Sequence, residues 1–99
     1  MNFVGDKFDK NNERRYDRVW ICQQIRKDLK DTFGKDWKFL VHKDGYNSIE
    51  VIVKIHPPIE DEDLITGKIR RIADAYNYDD SDGQSDYFDR NFYLHVSIL

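Results

Sequence analysis

Asp79, Asp80, Asp82 and Asp86 crowd into one short stretch with Tyr78, Tyr87 and Phe88 beside them, and these are the residues best placed to do chemistry. The whole stretch, Tyr76–Tyr93, holds five aspartates and six aromatic residues. Clustered carboxylates suit two tasks. Hard oxygens of this kind are what calcium and magnesium take. Placing Gly83 at the sixth position of an EF-hand loop, however, puts Tyr78 at the first, where an acid is required, so that pattern fails. The other task is to meet a basic partner surface, with tyrosines as rigid anchors that bury area at small entropic cost. A plain structural use also exists, because Asn77, Asp79, Asp80, Ser81, Asp82 and Gly83 are all turn formers.

Other reactive side chains are poorly arranged for catalysis. Cys22 falls on the apolar stripe of a helix, as a structural thiol does. His42, His56 and His95 are scattered along strands without the short spacing of a zinc site. The glycines form no phosphate loop. The sequence therefore points to a non-enzyme, with no cofactor and no metal expected. A second candidate surface is basic: Arg14, Arg15, Arg18, Arg26, Lys27 and Lys30 share the first helical segment, where they suit phosphate. Asp17, Asp28 and Asp31 are interleaved with them, which equally fits a solvated, salt-bridged face.

The elements that must hold these residues follow from periodicity. Across 13–33, Val19, Cys22, Ile25, Leu29 and Phe33 recur at helical steps, with Asn12 as candidate N-cap and Gly34 just past the end. Trp37, Phe39 and Val41 alternate with polar positions, as do Ile49, Val51, Val53 and Ile55, giving two strands about Asp44-Gly45. A loop of three or five residues is expected there. Centring it on Gly45 pairs Val41 with Ile49, Phe39 with Val51 and Trp37 with Val53 and keeps one apolar face. Pro57-Pro58 ends the second strand, and Glu60–Asp63 opens a second helix whose stripe is Ile65, Ile69, Ile72 and Tyr76. Gly67 within that helix suggests close packing on the sheet. Phe92, Leu94, Val96 and Ile98 mark a third strand, expected to pair antiparallel. The fold class is α+β: two helices on one face of a three-stranded antiparallel sheet, in the order α-β-β-α-(long loop)-β. Residues 1–12 form an N-terminal arm, either loose or tacked down through Phe3, Val4 and Phe8, and 13–99 a single α+β domain.

Charge is uneven. Residues 1–56 carry 12 Lys/Arg against 9 Asp/Glu, whereas residues 57–99 carry 4 against 10, within a net charge of −3. Such a balance gives little support to general nucleic-acid binding, which rests on clustered cations. One cysteine excludes a disulfide framework. With no apolar run near 20 residues, no membrane partner is expected, and the chain reads as soluble and cytoplasmic.

Ile25–Phe33, Trp37–Val53 and Tyr76–Tyr93, taken in this order, resemble a domain of phage and mobile-element proteins, the twenty-ninth of the catalogued large polyvalent protein-associated domains. The similarity spans roughly residues 16–98, and Asp86-Tyr87-Phe88 carries its most specific part. In that family the domain is usually one module of very long polyproteins that enter a host with the element's DNA and blunt its defences; here it stands as a chain of 99 residues. The resemblance implies a stoichiometric inhibitor of a host defence nuclease, anti-CRISPR or antirestriction in kind, acting in the host cytoplasm. Its partner-binding residues are then Asp79, Asp80, Asp82, Asp86, Tyr78, Tyr87 and Phe88. Two alternatives stand beside it: a nucleic-acid module on the basic helix, and an oligomerisation module pairing through the last strand.

Overall fold

The structure is a computed structural model and describes residues 3–81 and 89–99. Its elements are β1 (Phe3–Val4), α1 (Arg18–Phe33), β2 (Lys38–Asp44), β3 (Ser48–Ile55), α2 (Glu62–Asp74), β4 (Tyr78–Asp79) and β5 (Tyr93–Ile98). β2, β3 and β5 form one sheet in that order, and β1 and β4 pair antiparallel in a second, two-stranded sheet.

The α+β class holds, but the expected all-antiparallel sheet does not. β2 and β3 are antiparallel, whereas β5 runs parallel to β3, with Ser48 opposite Tyr93 and Val53 opposite Ile98. The reason lies in α2. Once Pro57-Pro58 has stopped β3, the helix carries the chain back along the sheet, so β5 starts where β3 started and runs the same way. β3 thereby becomes the central strand. Ile49, Val51 and Val53 are fully buried on it, flanked by Phe39 and Val41 of β2 and by Leu94, Val96 and Ile98 of β5. From the helices this layer receives Ile21, Cys22, Ile25, Leu29, Ile69 and Ala73.

Local details depart from expectation in instructive ways. α1 begins at Arg18 because the Asp17 carboxylate accepts from the backbone N–H of Val19 (3.0 Å) and Trp20 (3.3 Å). Asn12 caps a preceding turn instead, accepting from Arg14 N at 2.9 Å. Val19 is thus on the solvent side, half exposed, and Ile21 takes its place in the core. Gly34 does end the helix, at φ 87°. The β2–β3 loop has three residues, 45–47, yet its centre is Tyr46, so that Val41 faces Val51 and Phe39 faces Val53. That is a slide of two residues from the expected register, which preserves the buried face because strand side chains alternate with period 2. Gly45 makes it possible by taking the first loop position at φ 62°. Gly67 has open space where a side chain would sit, so it marks no close packing. The tight glycine is Gly5, where an added Cβ would lie 2.2 Å from the Asp74 carbonyl oxygen.

Residues 3–8 are held against the rest of the protein. Gly5 N donates to Asn77 O and Lys7 N to Ala75 O, both at 2.8 Å, and the Lys7 ammonium reaches Asp28 at 2.8 Å. No helix among the described residues is long and apolar enough to cross a membrane.

Candidate partner-binding loop and its stem

The acidic–aromatic stretch leaves α2 through two buried residues, Tyr76 and Asn77. The Tyr76 hydroxyl donates to Asp28 on α1, and the ring meets Trp20 edge-on at 6.0 Å. Burial, reinforced by the neighbouring carboxylate, pushes the Tyr76 phenol far above its ordinary value. At Asp28 burial acts upward too, but hydrogen bonds from Lys7 and Tyr76 outweigh it and hold the carboxyl below the usual range. Asp28 is therefore an ionised anchor joining arm, helix and loop base.

Asn77 and Asn91 clamp the two limbs of the loop. The Asn77 side chain donates to Phe92 O (3.0 Å) and accepts from Phe92 N (3.2 Å). Asn91 donates to Tyr76 O (3.0 Å) and to Arg15 O (2.8 Å). Further out, Asn91 N donates to Tyr78 O (3.2 Å) and Asp80 N to Asp89 O (2.7 Å). The result is a short, antiparallel stem with Asp79 opposite Arg90.

Several predicted contact residues serve this stem. Asp79 accepts from Ser81 N at 3.0 Å and binds the Arg90 guanidinium at 2.5 Å. The Ser81 backbone N–H and hydroxyl, with Arg90 behind them, hold the Asp79 carboxyl below the ordinary carboxylate value. Ser81 Oγ in turn accepts from Asp89 N at 3.0 Å, tying the limbs together once more. The Tyr78 hydroxyl donates to Asp89 at 2.9 Å, and its ring packs on Phe8 at 5.1 Å and Tyr16 at 6.3 Å. Asp80 is exposed beside them. Asp82, Asp86, Tyr87 and Phe88 lie outside the described residues.

The basic candidates are dispersed. Arg14 and Arg15 precede α1 and belong to the turns before it, which corrects their assignment to a helix face. Arg15 donates to Asn12 O and lies 4.5 Å over the Tyr16 ring; Arg18 reaches Asn47 at 3.2 Å. Arg26 bonds Val41 O on β2, while Lys27 and Lys30 are exposed on α1.

Among the other reactive groups, Cys22 is buried and its thiol is pushed up by burial. His42 contacts Glu50 at 2.9 Å, and His56 contacts the carbonyls of Pro57 and Leu99, which raise its pKa. His95 is exposed on β5. Among the described residues no group of three His, Cys, Asp or Glu is disposed to hold a metal ion.

The sequence marks the aromatic residues of this region and gives Asn77 only as a turn former, not as a clamp, and it does not single out Asn91 or Gly5. A buried asparagine leaves no periodic signal, although its position one residue past a helix stripe was a hint. No family model matches the chain, and no curated protein or solved structure matches it either.

Proposed function

We propose that this protein is a non-catalytic binding module that engages a basic protein surface through the acidic segment between Ser81 and Asp89. The reading is supported chiefly by the stem. Two limbs bonded from Asn77–Phe92 out to Asp80–Asp89 fix both ends of a segment that carries Asp82, Asp86, Tyr87 and Phe88 in its sequence. Preorganising the ends of a loop lowers the ordering cost of binding. Within this assignment Asp79 and Tyr78 position the loop, and Asp80, Asp82 and Asp86 bear the charge that meets the partner.

The partner class follows from the acidic charge and from the resemblance in the Ile25–Phe33, Trp37–Val53 and Tyr76–Tyr93 stretches. A segment rich in aspartates carries negative charge of the sign that suits the cationic channel of a nuclease. The protein is then a phage or mobile-element inhibitor of a host defence nuclease, anti-CRISPR or antirestriction, acting stoichiometrically in the host cytoplasm. A basic face on α1 is the weaker reading, since Arg14 and Arg15 lie before the helix and Arg18 and Arg26 are committed to internal hydrogen bonds.

The test is a nuclease-treated pull-down from a host lysate bearing CRISPR and restriction systems, followed by a cleavage assay on the recovered enzyme. Wild type should co-purify near one to one and block cleavage, and an Asp80→Asn, Asp82→Asn, Asp86→Asn variant should fold normally and fail to block. Full inhibition by the triple variant would remove the acidic segment from the mechanism.

A further inference from the structure

A different part of the molecule carries a second site, independent of the acidic loop. Where α1 ends and β2 begins, a surface cavity of about 320 Å³ opens against the outer edge of β2. Its floor is aromatic. Trp37 and Phe39 are stacked nearly parallel, 9° apart with centroids at 6.0 Å; Phe33 packs tilted against both at 4.8 and 5.3 Å, and the His56 ring lies 5.8 Å from Trp37. Its rim is cationic. Arg26, Lys30, Lys35 and Lys38 line it, and no acid does.

None of the four rim cations makes an ion pair among the described residues. Arg26 is fixed by its bond to Val41 O at 2.5 Å. Lys30, Lys35 and Lys38 are exposed, and among the described residues none has a carboxylate within 4.0 Å. One cation is accounted for by the negative end of the α1 dipole. Three unpaired ammonium groups around one apolar floor exceed that need. Asp31 of α1 lines a separate cavity with Lys7 and Asp28, and Asp36, between Lys35 and Trp37 in the chain, is exposed and does not line this one.

We infer that this corner binds single-stranded nucleic acid, one base stacking against the Trp37–Phe39 pair and successive phosphates on Lys30, Lys35 and Lys38. Flat π surfaces take any base and contribute about 1–3 kcal/mol per stacked base. The lysines outnumber what one monophosphate would occupy, which favours a strand over a free nucleotide. The site lies at the C-terminal end of α1, while the acidic stem touches its N-terminal side through Arg15 and Tyr16. At 16 residues the helix separates them by about 24 Å.

The experiment is fluorescence anisotropy of a labelled oligothymidylate against the intact protein, with thymidine monophosphate as competitor. Wild type should bind at low salt, with a log–log salt slope near −2 for about three phosphates on a single strand. Lys35→Glu with Lys38→Glu should weaken binding at least about tenfold, and Arg14→Glu, in the turn before α1, should leave it nearly unchanged. In a Trp20→Phe background, Trp37 fluorescence should be quenched as the oligomer binds. The inference is overturned if the oligomer does not bind, if thymidine monophosphate alone saturates the site, or if Arg14→Glu weakens binding as much as the lysine pair. None of these outcomes touches the acidic-loop reading, whose test is protein capture after nuclease treatment.

Discussion

Asn77 and Asn91 are each only 6% exposed, and between them they satisfy backbone groups on both limbs of the loop and on the turn before α1. A buried polar group deprived of its partner costs about 1–3 kcal/mol. Asn77→Ala removes a donor and an acceptor while leaving Phe92 N and O without their partner, so stability should fall by roughly that amount or more, measured by urea unfolding. The same substitution should loosen the stem, read as faster amide exchange at Asp80 and Asn91. Acid acts on the neighbouring carboxylates. Asp28 and Asp79 have folded-state pKa values below ordinary ones, so their contribution is present above the unfolded value near 3.9 and is lost as pH falls through the lower folded value. Melting temperature should therefore drop below about pH 4, and Asp28→Asn should flatten that drop. An unchanged pH profile in the variant would show that Asp28 is not a source of it.

At the scale of elements, two short strands and two arginines do work that length alone would not suggest. β1 and β4 are two residues each, yet they join residues 3–8 to the loop base. Gly5 permits this, since its backbone passes so close to the Asp74 and Ala75 carbonyls that no side chain fits. Gly5→Ala should cost about 1–3 kcal/mol, the usual penalty for overpacking, and should increase proteolysis within the first eight residues. Loss of stability without new cleavage would mean that the strain is absorbed elsewhere. The sheet's outer edges are guarded by the helices above them: Arg26 of α1 bonds Val41 O on β2, and Arg70 of α2 bonds Leu94 O on β5 at 3.4 Å. β2 has further protection from Lys38, Lys43 and a register irregularity at Lys38/Phe39. β5 contains neither lysine nor proline, so any pairing between copies has its easier route there. Periodicity made the helices and strands readable one at a time. It carried no information about direction, because an amphipathic strand looks the same parallel or antiparallel, and the choice fell to the crossover made by α2.

The whole molecule is elongated, 43 × 29 × 24 Å, with an acidic stem toward one end of α1 and the cationic, aromatic corner at the other. Sites this far apart with no shared residues should behave additively, to within about 0.5 kcal/mol. Combining the Asp80, Asp82 and Asp86 substitutions with the Lys35, Lys38 pair should thus lower each binding activity by the same factor as the separate variants do. Coupling between them in such a cycle would indicate one continuous interface. The amino-acid order by itself determined the α+β class, most of both buried helix stripes (though not Val19, which Ile21 replaces, nor Tyr76, which lies past the end of α2), the three long strands, the glycine stop at Gly34 and the odd-length turn. These depend on contacts between near neighbours or on the side-chain period, and both are written locally. Tertiary structure alone decided that β5 runs parallel, that Arg14 and Arg15 stand outside α1, and that Asp79 and Tyr78 brace a stem. It also decided that Lys30, Lys35 and Lys38 gather around Trp37. Those outcomes depend on which distant segments share space, and that is set by packing two helices onto one sheet face.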